Sequence, residues 1–347
     1  MSTVQDSFVK LVREAYSAGG ADLHLAPRQV PRMRQDLKLV PVGETPFSPQ
    51  DLESLARELF GPAALERQVR EGSVQRRIPL DAAVSGLAGR ATLTQTAGCY
   101  SISLRLLVAG TPATLEMMSA PEVLKDLLAA SGGLIVVSGP HASGKTSTLH
   151  GMLDWINANR AAHIGTVEDP LDVLIQPKLS LLQQREVGTD VPDVPAGIAA
   201  ALAQSVDVLM VAALNTLESL SATLHAAETG QLVLTQIHAN SAEEALERIV
   251  EATPESMHAM VRRSLSQTLL GVTCQRLLPR KPRGRVAVHQ VLLADPALRT
   301  ALARGGPLRG FGAPGSVTLR DEIDARLAEG LISEETAAAA RASLPRD

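Results

Sequence analysis

Apolar residues recur in two rhythms along this chain, and the change between them marks its organisation. In the first hundred residues short helical and alternating stretches are mixed. Phe8, Leu11, Val12 and Tyr16 share one face of a helix that Gly19 and Gly20 stop, and ADLHL then reads as a strand. A second helix is expected at 49 to 60, with Ser48 as its N-cap and Asp51 in its first turn. GRATLTQTA and CYSISLRLL alternate as strands of one sheet. The stretch VAGTPATLEMMSAP carries Gly, two Pro and small polar residues, so a linker is placed at 109–120 between domains 1–108 and 121–347.

After a helix at 121 to 130 the rhythm becomes regular. LIVVS, HIGTVED, VDVLMVAAL and QLVLTQIH are apolar runs separated by helical patterns, which predicts a parallel sheet covered on both faces by helices. Beyond about 255 the reading is helical, including MVRRSLSQTLLGVTCQRLLPR, with a turn at PRKPRGR and a helix at AAAARAS.

Composition narrows the function classes. A net charge of -4 and a 2% aromatic share give neither a field nor a stacking surface for nucleic acid. Cys99 and Cys274 form no CxxC pair and read as buried thiols. MSTVQDSFVKLVREAYSAGG lacks the basic and apolar blocks of a signal peptide, and no apolar run nears the roughly 20 residues of a membrane span. A cytoplasmic protein without membrane insertion is expected.

The chemistry concentrates at GPHASGKT, Gly139 to Thr146, which matches G-x-x-x-x-G-K-[ST] between a strand and a helix. The loop Gly139, Pro140, His141, Ala142, Ser143 and Gly144 would surround phosphate with the backbone N–H groups of its residues other than Pro140, and the start of the helix at Lys145, Thr146 and Ser147 would add its positive end. Lys145 would reach the β- and γ-phosphates of ATP, and the Thr146 hydroxyl would sit on Mg²⁺. Ligands of open parallel sheets bind at the carboxyl strand ends. Those ends bring Glu168 and Asp169 from HIGTVED, and His238 from QLVLTQIH. VDVLMVAAL ends in Ala212, Ala213 and Leu214, with no acid.

Taken in order, GPHASGKT, TVEDP, QQREVG and AAETGQLVLTQIHANSA resemble the PilT-type retraction ATPases of type IV pili, within the type II/IV secretion ATPases. The resemblance implies an α/β fold: a small α+β PAS-like domain, a RecA-like P-loop domain with a parallel sheet, and a helical C-terminal region. It also implies a hexameric ring, homomeric or mixed with an active PilT-like ATPase, that grips an inner-membrane platform protein of a pilus or secretion system. By the same resemblance Glu168 matches an acidic-box residue that helps to hold Mg²⁺ and water. His238 matches the histidine near the γ-phosphate, and Arg105, with Arg90, matches arginines that reach the phosphates from the first domain.

Departures from the family pattern all remove charge. Gly-Glu-Met-Arg-Asp becomes Ala212, Ala213, Leu214, Asn215 and Thr216, so the Walker B glutamate is replaced by Ala213. Leu-Arg-Glu-Asp-Pro-Asp becomes Leu202, Ala203, Gln204, Ser205, Val206 and Asp207, and Gly-Arg-Phe-Arg-Val-Asn becomes Gly89, Arg90, Ala91, Thr92, Leu93 and Thr94. Asp207 starts its strand, roughly 20 Å from Ala213 at about 3.3 Å per residue, and does not substitute for the lost acid. Glu218 reads as an acid in the first turn of the next helix. The expectation is a subunit that binds ATP but hydrolyses it weakly or not at all. The alternative is an active ATPase that relies on Glu168. A P-loop kinase would need an Arg-bearing lid and an acceptor pocket, for which the sequence offers no candidate.

Overall fold

The computed structural model describes residues 3–20, 22–35, 38–85, 87–108, 112–212, 214, 216–282, 284–308 and 310–344. Two compact units emerge, Met1–Gly110 together with Asp172–Leu174, and Thr111–Leu171 with Ile175–Asp347.

The first unit contains α1 (Thr3–Ser17), β1 (Asp22–Leu25), β2 (Arg32–Gln35), β3 (Lys38–Pro41), α2 (Pro49–Phe60), α3 (Pro62–Glu71), β4 (Ser73–Pro79), β5 (Leu87–Thr96) and β6 (Cys99–Val108). Its antiparallel sheet runs β3-β2-β1-β6-β5-β4. Ser48 caps α2 as the sequence predicts. Its hydroxyl accepts from Asp51 N at 3.1 Å, and the Asp51 carboxylate accepts from Ser48 N at 2.8 Å. Phe8, Leu11, Val12, Leu52, Leu55 and Leu104 form the core between helices and sheet.

The second unit begins with α4 (Val123–Leu128), β7 (Gly133–Gly139), α5 (Lys145–Asn159), β8 (His163–Glu168) and β9 (Leu181–Glu186). It continues through α6 (Val194–Ala203), β10 (Val208–Val211), α7 (Leu217–Glu228), β11 (Leu232–His238), α8 (Ala242–Glu251) and α9 (His258–Thr268). With β12 (Leu269–Pro279) and β13 (Arg285–Leu293), the sheet order is β13-β12-β7-β11-β10-β8-β9, and β7, β11, β10, β8 and β9 are mutually parallel. Every residue of β7 and of β10 is buried, the mark of strands covered on both faces.

The expected helix MVRRSLSQTLLGVTCQRLLPR ends early, at Thr268. The chain then forms β12 (Leu269–Pro279) and β13 (Arg285–Leu293), paired antiparallel, with β12 lying parallel to β7. Val272, Thr273 and Cys274 are buried against β7, where β-branched side chains pack well on a pleated surface; that packing overrides the helical reading of an ambiguous apolar run. Helices resume with α10 (Pro296–Arg304), α11 (Leu319–Ala328) and α12 (Glu334–Ala342). Residues 112–120 are not loose. Leu115 is buried, and a Cβ on Gly151 of α5 would lie 2.8 Å from the Ala113 carbonyl oxygen. Cys274 is buried, as expected, whereas Cys99 is only half-buried.

One buried group makes this unit sensitive to acid. His289 on β13 is fully enclosed, its Nδ1 is 3.4 Å from Thr273 Oγ1, and its Nε2 has no hydrogen-bond partner among the described residues. Burial, and then the charge of Arg326, push its pKa down to about 4. The unfolded chain therefore binds the proton first, near pH 6.5, and stability falls as pH drops from there to about 4. The expected loss is about 3 kcal/mol by pH 4, at 1.36 kcal/mol per pKa unit. Urea unfolding of the second unit across this window measures it, and His289→Gln should remove most of the dependence.

Candidate nucleotide-binding site

The loop between β7 and α5 is built on glycine. Gly139 adopts φ +150°, and a Cβ there would stand 2.5 Å from the Gln275 carbonyl oxygen and 2.5 Å from Ser143 Oγ. Gly144, at φ +90°, opens α5 in the left-handed region. Gln275 of β12 donates to Ser143 O at 2.6 Å and so ties the loop to the sheet. His141, Ala142 and Ser147 are exposed, Thr146 is half-buried, and the buried Ser143 hydroxyl has no partner among the described residues. An enclosed hydroxyl and a ring of backbone groups suit an incoming phosphate.

Lys145 is almost wholly enclosed at 6% exposure. Its ammonium donates to Gly139 O at 3.1 Å and Pro140 O at 2.8 Å, and lies 3.2 Å from His238 Nδ1. An ammonium only donates, so Nδ1 is the accepting nitrogen of His238. Burial lowers the pKa of Lys145. Burial also lowers that of His238, followed by the charge of Lys145 and then those of His141 and Arg248, which keeps the ring neutral at pH 7. The sheet brings these groups together, since β11 pairs with β7 and sets His238 opposite Gly139. A cavity of about 330 Å³ opens here, lined by Pro140, His141, His238, Ala239, Asn240 and Arg248. A second, of about 670 Å³, shares Pro140, His141 and Asn240 with it and extends to Arg276, Leu277, Arg285 and Leu344.

Between His238 and Glu168 lies the end of β10, because β10 pairs with both β11 and β8. Ala212 is buried and its carbonyl accepts from the Gln236 side chain. Ala213 and Asn215 lie outside the described residues. Thr216 is the N-cap of α7, with Ser219 completing a capping box, and Glu218 is an exposed first-turn acid. Asp207 sits at the far end of the sheet, where its carboxylate accepts from His163 N at 2.7 Å.

Glu168 is 1% exposed and its carboxylate faces protein. His150 Nε2 of α5 lies 2.8 Å from Oε2, while Thr166 Oγ1 and Gln184 Nε2 donate to Oε1 at 2.7 and 3.2 Å. His150 was not among the residues expected from sequence. It follows Thr146 by four positions, so the two share a face of α5, a signal visible in the sequence once the helix is assigned. Gln236, Gln275 and Gln184 gave no such signal. Arg90 and Arg105 stand opposite one another across β5 and β6 of the first unit. Arg90 pairs with Asp172 at 2.7 Å and Arg105 with Asp22 at 2.9 Å, and the latter contact raises the Arg105 pKa.

Among the described residues no three His, Cys, Asp or Glu side chains cluster as a metal site. The half-buried Thr146 hydroxyl beside the loop suits Mg²⁺, a hard ion that takes oxygen from few protein groups and from phosphates and water. The Glu168 carboxylate, already engaged by three donors, does not offer itself in the same way.

The loop, the His238 strand end and the order of motifs along the chain agree with a match over residues 10–301 to the family described as type II/IV secretion system protein. The chain belongs to this family. Within it the protein is PilT-like: it is 30% identical over 333 residues to the type IV pilus retraction ATPase PilT of Pseudomonas aeruginosa, covering 93% of this chain and 95% of that one. It is 35% identical over 285 residues to the Escherichia coli protein YggR, covering 82% and 85%. The crystal structure of the pilus retraction motor PilT with bound ADP matches with a TM-score of 0.83 at 30% identity, over 96% of each chain.

In this PilT-like loop, Gly139→Ala should cost about 1–3 kcal/mol by forcing the loop away from Gln275. ATP affinity, measured by calorimetry, should fall by at least about tenfold, or about 1.4 kcal/mol.

Proposed function

We propose that this chain is an ATP-binding subunit of a type IV pilus motor in which hydrolysis is weak or absent. The observation that carries the reading is the contrast at one sheet edge. Lys145 and its loop are assembled for phosphate, while Glu168, the acid that closes β8, is buried and bonded to His150, Thr166 and Gln184, with only Asp169 exposed beside it. In sequence, Ala213 stands where the family carries its Walker B glutamate.

Phosphate binding uses backbone N–H groups, a lysine and a hydroxyl-held metal, and this chain keeps the residues for all three. Hydrolysis also requires a group to orient and deprotonate water, and loss of such a base typically slows a reaction by about 10²–10⁴. ATP and Mg²⁺ are thus the cofactors of this reading. His238, neutral and near the γ-phosphate position, serves as a polar contact. Likeness to PilT supports a hexamer, homomeric or shared with an active PilT-like ATPase, at a cytoplasmic, peripheral position on an inner-membrane platform protein. Among the described residues no helix is long and apolar enough to cross a membrane.

The purified protein should bind ATP with Mg²⁺ and lose that binding on Lys145→Ala. Its ATPase rate, measured beside that of the Pseudomonas aeruginosa PilT, should be lower by at least about 10². Ala213→Glu should raise it at matched oligomeric state. Brisk turnover by the wild type that Lys145→Ala abolishes would overturn the proposal.

A further inference from the structure

We propose that His150 is a positioning residue that holds the Glu168 carboxylate inside the protein, so that the magnesium of bound ATP is held without it. This rests on the nucleotide-binding reading above and adds a second cause of weak hydrolysis, independent of Ala213.

Three elements converge on this carboxylate. His150 comes from α5, Thr166 from β8 two residues before Glu168 on the same strand face, and Gln184 from β9, where it is the register partner of Thr166. The orientation of each is fixed. A carboxylate only accepts, which places the His150 ring proton on Nε2. The Gln184 amide is oriented from its other side, since its Oε1 accepts from Ile175 N at 2.8 Å and so turns Nε2 toward Glu168. His150 and Glu168 are 1% exposed and Thr166 is 0% exposed, so the His150 and Thr166 bonds do not compete with bulk water, whereas Gln184 is half-buried.

The arrangement separates two oxygens that would otherwise share an ion. Thr146 and His150 lie one turn apart on the same face of α5. The residue that stands next along this face from the hydroxyl thus binds the acid instead of leaving it to the metal. Turning Glu168 outward would leave an imidazole N–H and a hydroxyl unpaired in the interior, which is why the clamp outcompetes a hydrated Mg²⁺ for the carboxylate. Removing the imidazole removes that opposition on one side and opens space for water beside Oε2.

The test compares ATP affinity with Mg²⁺ and with EDTA, by calorimetry on the full chain, and reads the ratio within each variant. A general loss of stability lowers both affinities and leaves the ratio unchanged. His150→Ala should raise the gain from Mg²⁺ by about tenfold over wild type, as the freed carboxylate joins the metal's surroundings. His150→Gln, which keeps an N–H donor, should retain the wild-type gain. If His150→Ala does not fold, Thr166→Val removes one donor with nearly the same shape and should raise the gain by about threefold. A wild-type ratio in His150→Ala or, where that variant does not fold, in Thr166→Val would overturn the clamp, as would a rise in His150→Gln equal to that in His150→Ala. Failure of the wild type to bind ATP at all would overturn instead the nucleotide-binding reading on which the clamp depends.

Discussion

The second unit depends on keeping one ammonium group buried beside a loop of peptide groups. Lys145 is enclosed, so its charge must be met by fixed acceptors, and Gly139 O, Pro140 O and His238 Nδ1 supply them. That requirement reaches through the sheet. β11 must register with β7 to bring His238 opposite Gly139, β12 must lie on the other side of β7 to place Gln275 under Ser143, and Gly139 must lack a side chain for β12 to approach. A phosphate would replace backbone oxygens as partner of the ammonium, with stronger, charge-assisted bonds.

Negative charge on the same edge is treated differently. The buried carboxylate of Glu168 is satisfied from α5, β8 and β9. Ala212 presents only its backbone carbonyl, met by Gln236. In the first unit Arg90 and Arg105 are paired to aspartates. A Glu168 carboxylate already engaged by three donors is less free to activate water, which connects the packing to the proposed balance of binding over hydrolysis.

Local chemistry is what the chain states most directly. GPHASGKT names its own conformation, because glycines at fixed offsets and a following helix define a phosphate loop without distant partners. The apolar runs at β7, β8, β10 and β11 likewise identify buried parallel strands, and Ser48 with Asp51 announces the start of α2. The run LLGVTCQRLL was less legible. Its apolar residues fit helix or strand equally, and only the open edge of β7 decides for strand.

By itself, then, the sequence determined the phosphate loop, the parallel strands and the absence of an acid in VDVLMVAAL after Asp207, since each is written in neighbouring residues. Tertiary structure alone decided what Glu168 does with its oxygens. His150 and Glu168 are 18 residues apart on different elements, and Gln184 is 16 beyond Glu168 on a third. No local pattern links them. A hydrogen-bond network in a core is specified by which surfaces pack, and that follows from burying apolar area across the whole unit, not from the order of residues along any one segment.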